Sequence, residues 1–280
     1  MTPRVVVTTR TVLRRGYDAL PPAVQRPVRS IYRRVRDTAR TLVLWGHDAL
    51  PLTARRRIRS AQLRRAVKRG LRLVPEDELT ARYVEALDIV KGSEGGPLTY
   101  LEFGVYTGTS MSCMAAAARQ VACRVRLVGF DSFQGLAPEV ADADNGVWKP
   151  GWFDSPIDVT LWFLRKQNVD MDMVTLVPGW FDDTCTSDNF AKHGIERADI
   201  VMIDCDSYDA TKTALAACLP ILNDTTVVFF DDWHAFDLAA LGEGERRAFE
   251  EALVEHPEFT TEPFPHYGMN SAAFLLRRQR

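Results

Sequence analysis

Between residues 98 and 230 the chain alternates short apolar runs with stretches of helical periodicity, and this alternation constrains the fold more than any other feature. The runs are Leu98–Phe103, Val125–Phe130, Met173–Val177, Ile200–Ile203 and Val227–Phe230, and helical patterns lie between them at Ser110–Arg119, Ile157–Gln167 and Asp209–Leu219. Strands buried on both faces read as near-continuous apolar runs, so the pattern predicts a mainly parallel sheet with helices on both sides. The terminal stretch FTTEPFPHYGMNSAAFLLRR has two strand-like pieces joined by a turn, which adds an antiparallel C-terminal hairpin at the sheet edge. The expected architecture is α/β, Rossmann-like: a doubly wound, seven-stranded, mainly parallel sheet. A helix precedes it over EDELTARYVEALDIVKG, with acids in its first turn and a stop at Gly92.

In such sheets ligands bind beyond the carboxyl ends of the strands, so the residues just after each run carry the functional information. The first run leads into EFGVYTGTS, Glu102 to Ser110, whose Gly104 and Gly108 permit a tight turn or close approach of a ligand before a helix starts. Tyr106 stands where a dinucleotide fold places its second glycine. The second run ends in GFDSFQGL, and Asp131 there suits a ribose diol, with a helix cap as the structural alternative. Loop and acid together predict a nucleoside ligand and leave NAD and S-adenosylmethionine both open.

Two later runs end in acids: VMIDCDSYDAT with Asp204, Asp206 and Asp209, and VVFFDDWHAF with Asp231, Asp232 and His234. Neighbouring strands lie about 4.8 Å apart, which would let Asp204 meet Asp231 and Asp232. Carboxylates held that close repel unless they are protonated or bridged by a cation. An all-oxygen set suits Mg²⁺, or Mn²⁺, rather than Zn²⁺. Capping or solvated roles are the alternative for each acid taken singly.

Taken in order, EFGVYTGTS, GFDSFQGL, Gly179 to Phe181, IDCDSYDAT and FFDDW resemble the macrocin O-methyltransferase family over roughly residues 76 to 280. The resemblance implies a class I S-adenosylmethionine-dependent enzyme that methylates sugar hydroxyls of natural products. By similarity, the loop residues Glu102, Gly104, Tyr106, Thr107, Gly108, Thr109 and Ser110 would hold the methionine portion of the cofactor. Asp131 with Ser132 would take the ribose, Trp180 and Phe181 the adenine, and Asp204 would complete the contacts. Asp204, Asp231 and Asp232 match the metal-binding carboxylates. Some members carry a catalytic histidine where this chain has Ser207, which leaves Asp204 as the expected base and His234 as a local alternative.

The long connection Ala137 to Phe163 has the character of a lid, with Trp148, Lys149 and Trp152 as candidate acceptor contacts and Trp162 and Phe163 as helix core. His266 and Tyr267 in the terminal hairpin either face the acceptor or pack the edge strand. The expected acceptor is a small molecule or saccharide bearing a diol. An NAD-dependent sugar oxidoreductase is the competing enzyme, and a membrane-peripheral scaffold without catalysis the competing non-enzyme.

Residues 1 to 75 stand apart. They hold 19 Lys and Arg against Asp18, Asp37 and Asp48, whereas the remaining residues hold 16 basic and 34 acidic side chains. This basic helical extension is also an internal duplication with a 30-residue offset, GYDALPPAVQRPVRSIYRR matching GHDALPLTARRRIRSAQLR. Each copy predicts a turn at DALP followed by a basic helix. Such helices pack on their own chain or on a second subunit of a homo-oligomer, or lie on an anionic membrane surface. Nucleic acid is disfavoured, because no aromatic residues interleave with the arginines. The extension reads as a separable appendage to a domain over residues 76 to 280.

Composition excludes disorder throughout and fibrous architectures, with 46% hydrophobic and 26% charged residues. The cysteines (Cys113, Cys123, Cys185, Cys205 and Cys218) fall singly, which argues against a disulfide framework or zinc site. The N-terminus has neither a signal-peptide core nor a membrane-spanning run, so a cytoplasmic location, with peripheral contact at the inner membrane surface through the arm, is the expectation.

Overall fold

The computed structural model describes residues 50–91 and 96–279. The first copy of the duplication and the stop at Gly92 lie outside the described residues. The compact unit that holds the sheet runs from Arg59 to Arg280.

Seven strands form one sheet in the order β3-β2-β1-β4-β5-β7-β6. They are β1 Leu98–Phe103, β2 Val125–Asp131, β3 Val174–Pro178, β4 Ala198–Ile203, β5 Leu222–Phe230, β6 Phe259–Phe264 and β7 Ala272–Arg278. The first five are parallel, and β7 enters antiparallel between β5 and β6. The hairpin expected from the terminal stretch is therefore present, with its second strand inside the sheet and its first at the edge. β1 and β4 are buried along their whole length, which explains their lack of polar alternation. β5 starts earlier than the apolar run suggested, because Asn223 and Asp224 sit at its open end.

Helices cover both faces. Glu76–Val90 buries Leu79, Tyr83, Ala86 and Leu87, and Thr109–Gln120 buries Met111, Met114 and Ala117, all in one core on one side of the sheet. Tyr208–Cys218 and Gly244–Glu255 serve the opposite core through Ala214, Leu215, Ala248 and Phe249. Burying a large apolar side chain contributes about 1.5–3 kcal/mol, so these two layers supply the main stabilisation.

The second copy of the duplication forms the helix Leu52–Lys68. Ser60, Leu63 and Val67 are buried, and the compact unit takes in residues 59 to 75, which the charge pattern alone assigns to the extension. No helix among the described residues is long and apolar enough to cross a membrane.

The register sets the site. Phe103 lies opposite Ile203, and Ile203 opposite Phe230, so Gly104, Asp204 and Asp231 leave the sheet at one level. Three backbone bonds carry the alignment one residue past the strands: Gly104 N to Phe130 O at 2.9 Å, Asp204 N to Phe103 O at 2.9 Å and Asp231 N to Ile203 O at 3.0 Å.

Candidate active site

At the end of β1 the backbone turns through Gly104 (φ +90) and Gly108 (φ +87), the second of which precedes the first turn of Thr109–Gln120. Tyr106 between them also has positive φ, 48°, a conformation that costs a non-glycine residue energy and is retained where the surroundings enforce it. Those surroundings are identifiable. Asp131 Oδ2 accepts from the backbone amides of Val105 and Tyr106, each at 2.8 Å, while Oδ1 accepts from Phe133 N. Thr160 Oγ1 donates to the Tyr106 carbonyl at 2.5 Å. Burial raises the Asp131 carboxyl above its ordinary range and the three amides oppose that shift. The acid expected to meet a ribose thus also shapes the loop from beneath.

Glu102 and Ser110 stand below the loop rather than on it. Ser110 and Tyr100 both donate to the Glu102 carboxyl, and the Tyr100 hydroxyl lies 3.0 Å from that of Tyr83. Burial pushes Glu102 up to about 8. Thr107 is buried, with its hydroxyl 3.2 Å from that of Thr109. Ser132 donates to Gly135 O and accepts from Gln134 N, a local turn at the start of the lid.

β3 ends beside Asp131, with Gly179 N donating to Asp131 O at 3.0 Å. Trp180 follows, half-buried, and Phe181 packs edge-on against Phe103 with ring centroids 5.9 Å apart. Trp180 is therefore next to the second strand end, whereas Phe181 belongs to the core.

The acids meet as the register requires. One carboxylate oxygen from each of Asp204, Asp231 and Asp232 lies within 4.8 Å of the others. Tyr267 donates to Asp231, Asp206 shares a hydrogen bond with Asp232, and Glu245 Oε2 accepts from the Asp232 amide at 3.1 Å. Burial raises all three carboxyls, and at Asp231 the hydrogen bond from Tyr267 opposes it. Asp204 is held well above its usual range by burial and then by Asp231, and Asp232 is pushed up to about 7 by burial and Asp231. Such a cluster meets the demands of a divalent cation, since hard oxygen donors converge and their own repulsion needs cancelling.

Ser207 is buried and caps the helix Tyr208–Cys218, accepting from Ala210 N. The position where the resemblance implies a histidine in some members is a helix cap in this chain. His234 is exposed, with its backbone amide bonded to Asn270 O at 2.8 Å. Tyr267 is buried against the site through Asp231, and His266 is exposed.

The lid differs from expectation in two places. Trp148 is only 3% exposed, in a small apolar cluster with Val140, Ala235 and Leu238, and stands edge-on to Phe236 at 5.1 Å. Trp162 is not core, because Arg64, Lys68 and Lys166 place their cations over its ring, whereas Phe163 is buried. Trp152 and Phe153 are each 38% exposed, Lys149 lies 5.5 Å over the Trp152 ring, and Phe153 meets Tyr106 edge-on at 6.0 Å. Asp144, which the local pattern did not single out, is buried and accepts from Tyr208 N at 2.8 Å and Gly244 N at 3.1 Å. It ties the lid to the two helices that follow the acidic strand ends.

Residues 101–233 match the model of a methyltransferase domain. Over 149 residues the chain is 30% identical to the 8-demethyl-8-(2,3-dimethoxy-alpha-L-rhamnosyl)-tetracenomycin-C 4'-O-methyltransferase of Streptomyces olivaceus, a match covering 50% of this chain and 55% of that one. It is likewise 30% identical over 151 residues to the mycinamicin III 3''-O-methyltransferase of Micromonospora griseorubida, covering 50% and 57%. These matches span little more than half the length of the curated relatives. Among solved structures the fold resembles that of the O-methyltransferase NovP, with TM-score 0.59 and 18% identity over 72% of this chain and 80% of that one. It also resembles an O-methyltransferase from Bacillus cereus in complex with S-adenosylhomocysteine, with TM-score 0.52 and 16% identity over 78% and 89%.

Proposed function

We propose that this chain, whose residues 101–233 match the model of a methyltransferase domain, transfers a methyl group from S-adenosylmethionine to a hydroxyl of a diol-bearing sugar or glycoside, with Mg²⁺ as a bound cation. The observation that carries this reading is the convergence of Asp204, Asp231 and Asp232 at the level where the glycine loop leaves the sheet. The rhamnosyl and mycinamicin enzymes support a natural-product sugar as the acceptor class.

Asp204, Asp231 and Asp232 would hold the cation, whose chemistry when bound is to polarise an oxygen and lower the pKa of a hydroxyl. A sugar hydroxyl is almost wholly protonated at neutral pH, so the acceptor needs a base while the sulfonium methyl is already activated. Asp204 is the base this reading assigns, since Ser207 is spent on a helix cap and His234 is exposed. The loop Gly104–Gly108 and the first turn of Thr109–Gln120 would hold the methyl donor, with Asp131 and Trp180 at the nucleoside end. Alignment of hydroxyl and methyl supplies the remaining advantage through orientation.

The test is methyl transfer from isotopically labelled S-adenosylmethionine to a panel of glycosides, with and without EDTA. Transfer that persists in excess EDTA, or in the double variant Asp231→Ala with Asp232→Ala, removes the cation from the mechanism. Binding of NAD in place of S-adenosylhomocysteine removes the reaction itself.

A further inference from the structure

Residues 59 to 64, which precede the matched residues 101–233 in sequence and are separated from them by the helix Glu76–Val90, reach the lid. Arg59 donates from Nε and Nη2 to the carbonyl oxygen of Asp154, at 2.9 and 2.7 Å, and its Nε lies 3.6 Å from the Asp154 carboxylate. The adjacent Ser60 Oγ donates to Asp158 Oδ1 at 2.8 Å, and Arg64, about one turn on, bonds the Asp158 carbonyl and carboxylate at 3.1 and 2.6 Å. These two grips fall on either side of the entry to the helix Ile157–Lys166, which holds the cofactor loop through the Thr160 bond to Tyr106 and whose Thr160 and Leu164 fill the space that a side chain on Gly108 would need.

Asp154 directly follows Phe153, which has positive φ, 58°, and meets the Tyr106 ring edge-on. A phenylalanine in that conformation needs its neighbours to fix it. On one side the lid is closed on itself, Leu136 N donating to Trp152 O at 2.9 Å. On the other side it is fixed by Arg59.

We propose that Arg59 is a positioning residue of the active site. By gripping Asp154 it seats Phe153 against Tyr106, and so sets both the cofactor loop and the exposed Trp152–Phe153 face offered to the acceptor. This rests on the methyltransferase reading for the identity of the ligand and not for the existence of the grip.

The experiment compares the full chain with Arg59→Ala, Arg59→Lys and Arg65→Ala, the last an exposed cation on the same helix. Amide hydrogen exchange is followed over residues 147–156, and S-adenosylhomocysteine is titrated calorimetrically. A hydrogen bond from a charged donor is worth about 1.5–3 kcal/mol, so Arg59→Ala should speed exchange of the lid about tenfold or more and weaken S-adenosylhomocysteine binding several-fold. Arg59→Lys, which keeps the charge but not the two-pronged donor, should restore both in part, and Arg65→Ala should change neither. Lid exchange at the wild-type rate in Arg59→Ala overturns the proposal. So does exchange that rises equally across the sheet, the mark of a merely structural role, and Arg59→Lys shows the same if the alanine variant fails to fold. A wild-type chain that does not bind S-adenosylhomocysteine overturns the methyltransferase reading instead, and the exchange comparison then still decides the grip.

Discussion

A Cβ atom on Gly104 would lie 1.7 Å from the carbonyl oxygen of Asp204, and 2.6 Å from its carbonyl carbon. The turn of the glycine loop and the first of the clustered acids are thus packed backbone against backbone. Gly104 also has φ +90, where a side chain is strained whatever the space. Gly104→Ala should cost at least about 2 kcal/mol of unfolding free energy and should displace Asp204 as β1 and β4 part at their ends. Urea unfolding and methyl transfer measured on the same preparation check this. Transfer at the wild-type rate in a destabilised variant would show that the two sites are not coupled.

The acidic cluster should be a liability without a cation. On top of burial, Asp231 raises the pKa of Asp204 and Asp232, and Asp232 raises that of Asp204, so removing the Asp232 charge relieves repulsion in the metal-free protein. Asp232→Asn should therefore melt higher than the wild type in EDTA and yet transfer no methyl group. Mg²⁺ at about a hundredfold excess over its dissociation constant should stabilise the wild type by about 2.7 kcal/mol and leave Asp231→Ala/Asp232→Ala unmoved. Equal melting of wild type and double variant across a magnesium titration would count against the cation.

Glu102 gives a pH dependence of defined sign. Its carboxyl titrates near 4.5 in an unfolded chain and is pushed to about 8 by burial in the fold. Between those values folding takes up a proton, so the stability this group contributes is greatest below about 4.5 and is lost as the pH rises through about 8. Glu102→Gln, neutral throughout, should flatten that part of the decline while changing stability little at pH 5. Denaturant unfolding in EDTA at pH 5, 7 and 9 checks it, and parallel curves for the two proteins would refute it.

The sheet was legible because Ile200–Ile203 of β4 and Val227–Phe230 of β5 carry no polar residue on either face, which only a doubly covered strand tolerates. The acidic triad was legible for the same reason, since Asp204 and the pair Asp231–Asp232 directly follow apolar runs. What stayed hidden was long-range pairing of side chains with distant backbone. Asp131 reads locally as an acid at a strand end, and nothing nearby shows that it accepts from Val105 and Tyr106. Asp144 bonds Tyr208 and Gly244 in the same concealed way. Trp162 has helical spacing fit for a core, but cations of another helix claim its ring. Charge counting placed the whole arm outside the domain, because it cannot see that Ser60, Leu63 and Val67 share one buried face.

Ser207 separates architecture from chemistry. Its hydroxyl caps Tyr208–Cys218, and loss of such a cap costs about 1 kcal/mol. Ser207→Ala should lower stability by that amount and leave kcat within about twofold, whereas Asp204→Asn should lower kcat by about 10² or more if it removes the base. Steady-state kinetics of the two variants decide the assignment. A large kcat loss in Ser207→Ala would return this position to the reacting groups.

Two truncations place the boundary of the catalytic unit. A chain beginning at residue 51 keeps the whole helix Leu52–Lys68, and with it Arg59, Ser60 and Arg64 on the lid. A chain beginning at residue 71 loses these grips and the buried Leu63 and Val67, each worth about 1.5–3 kcal/mol. The first should bind S-adenosylhomocysteine as the full chain does. The second should unfold at lower denaturant and, where still folded, bind the ligand several-fold more weakly, because Arg59 no longer helps to fix Phe153 against Tyr106. Only the residues ahead of the helix would then be separable from catalysis, with assembly or location as their remaining role. Equal binding and equal stability of the two truncated chains would make the helix an appendage after all.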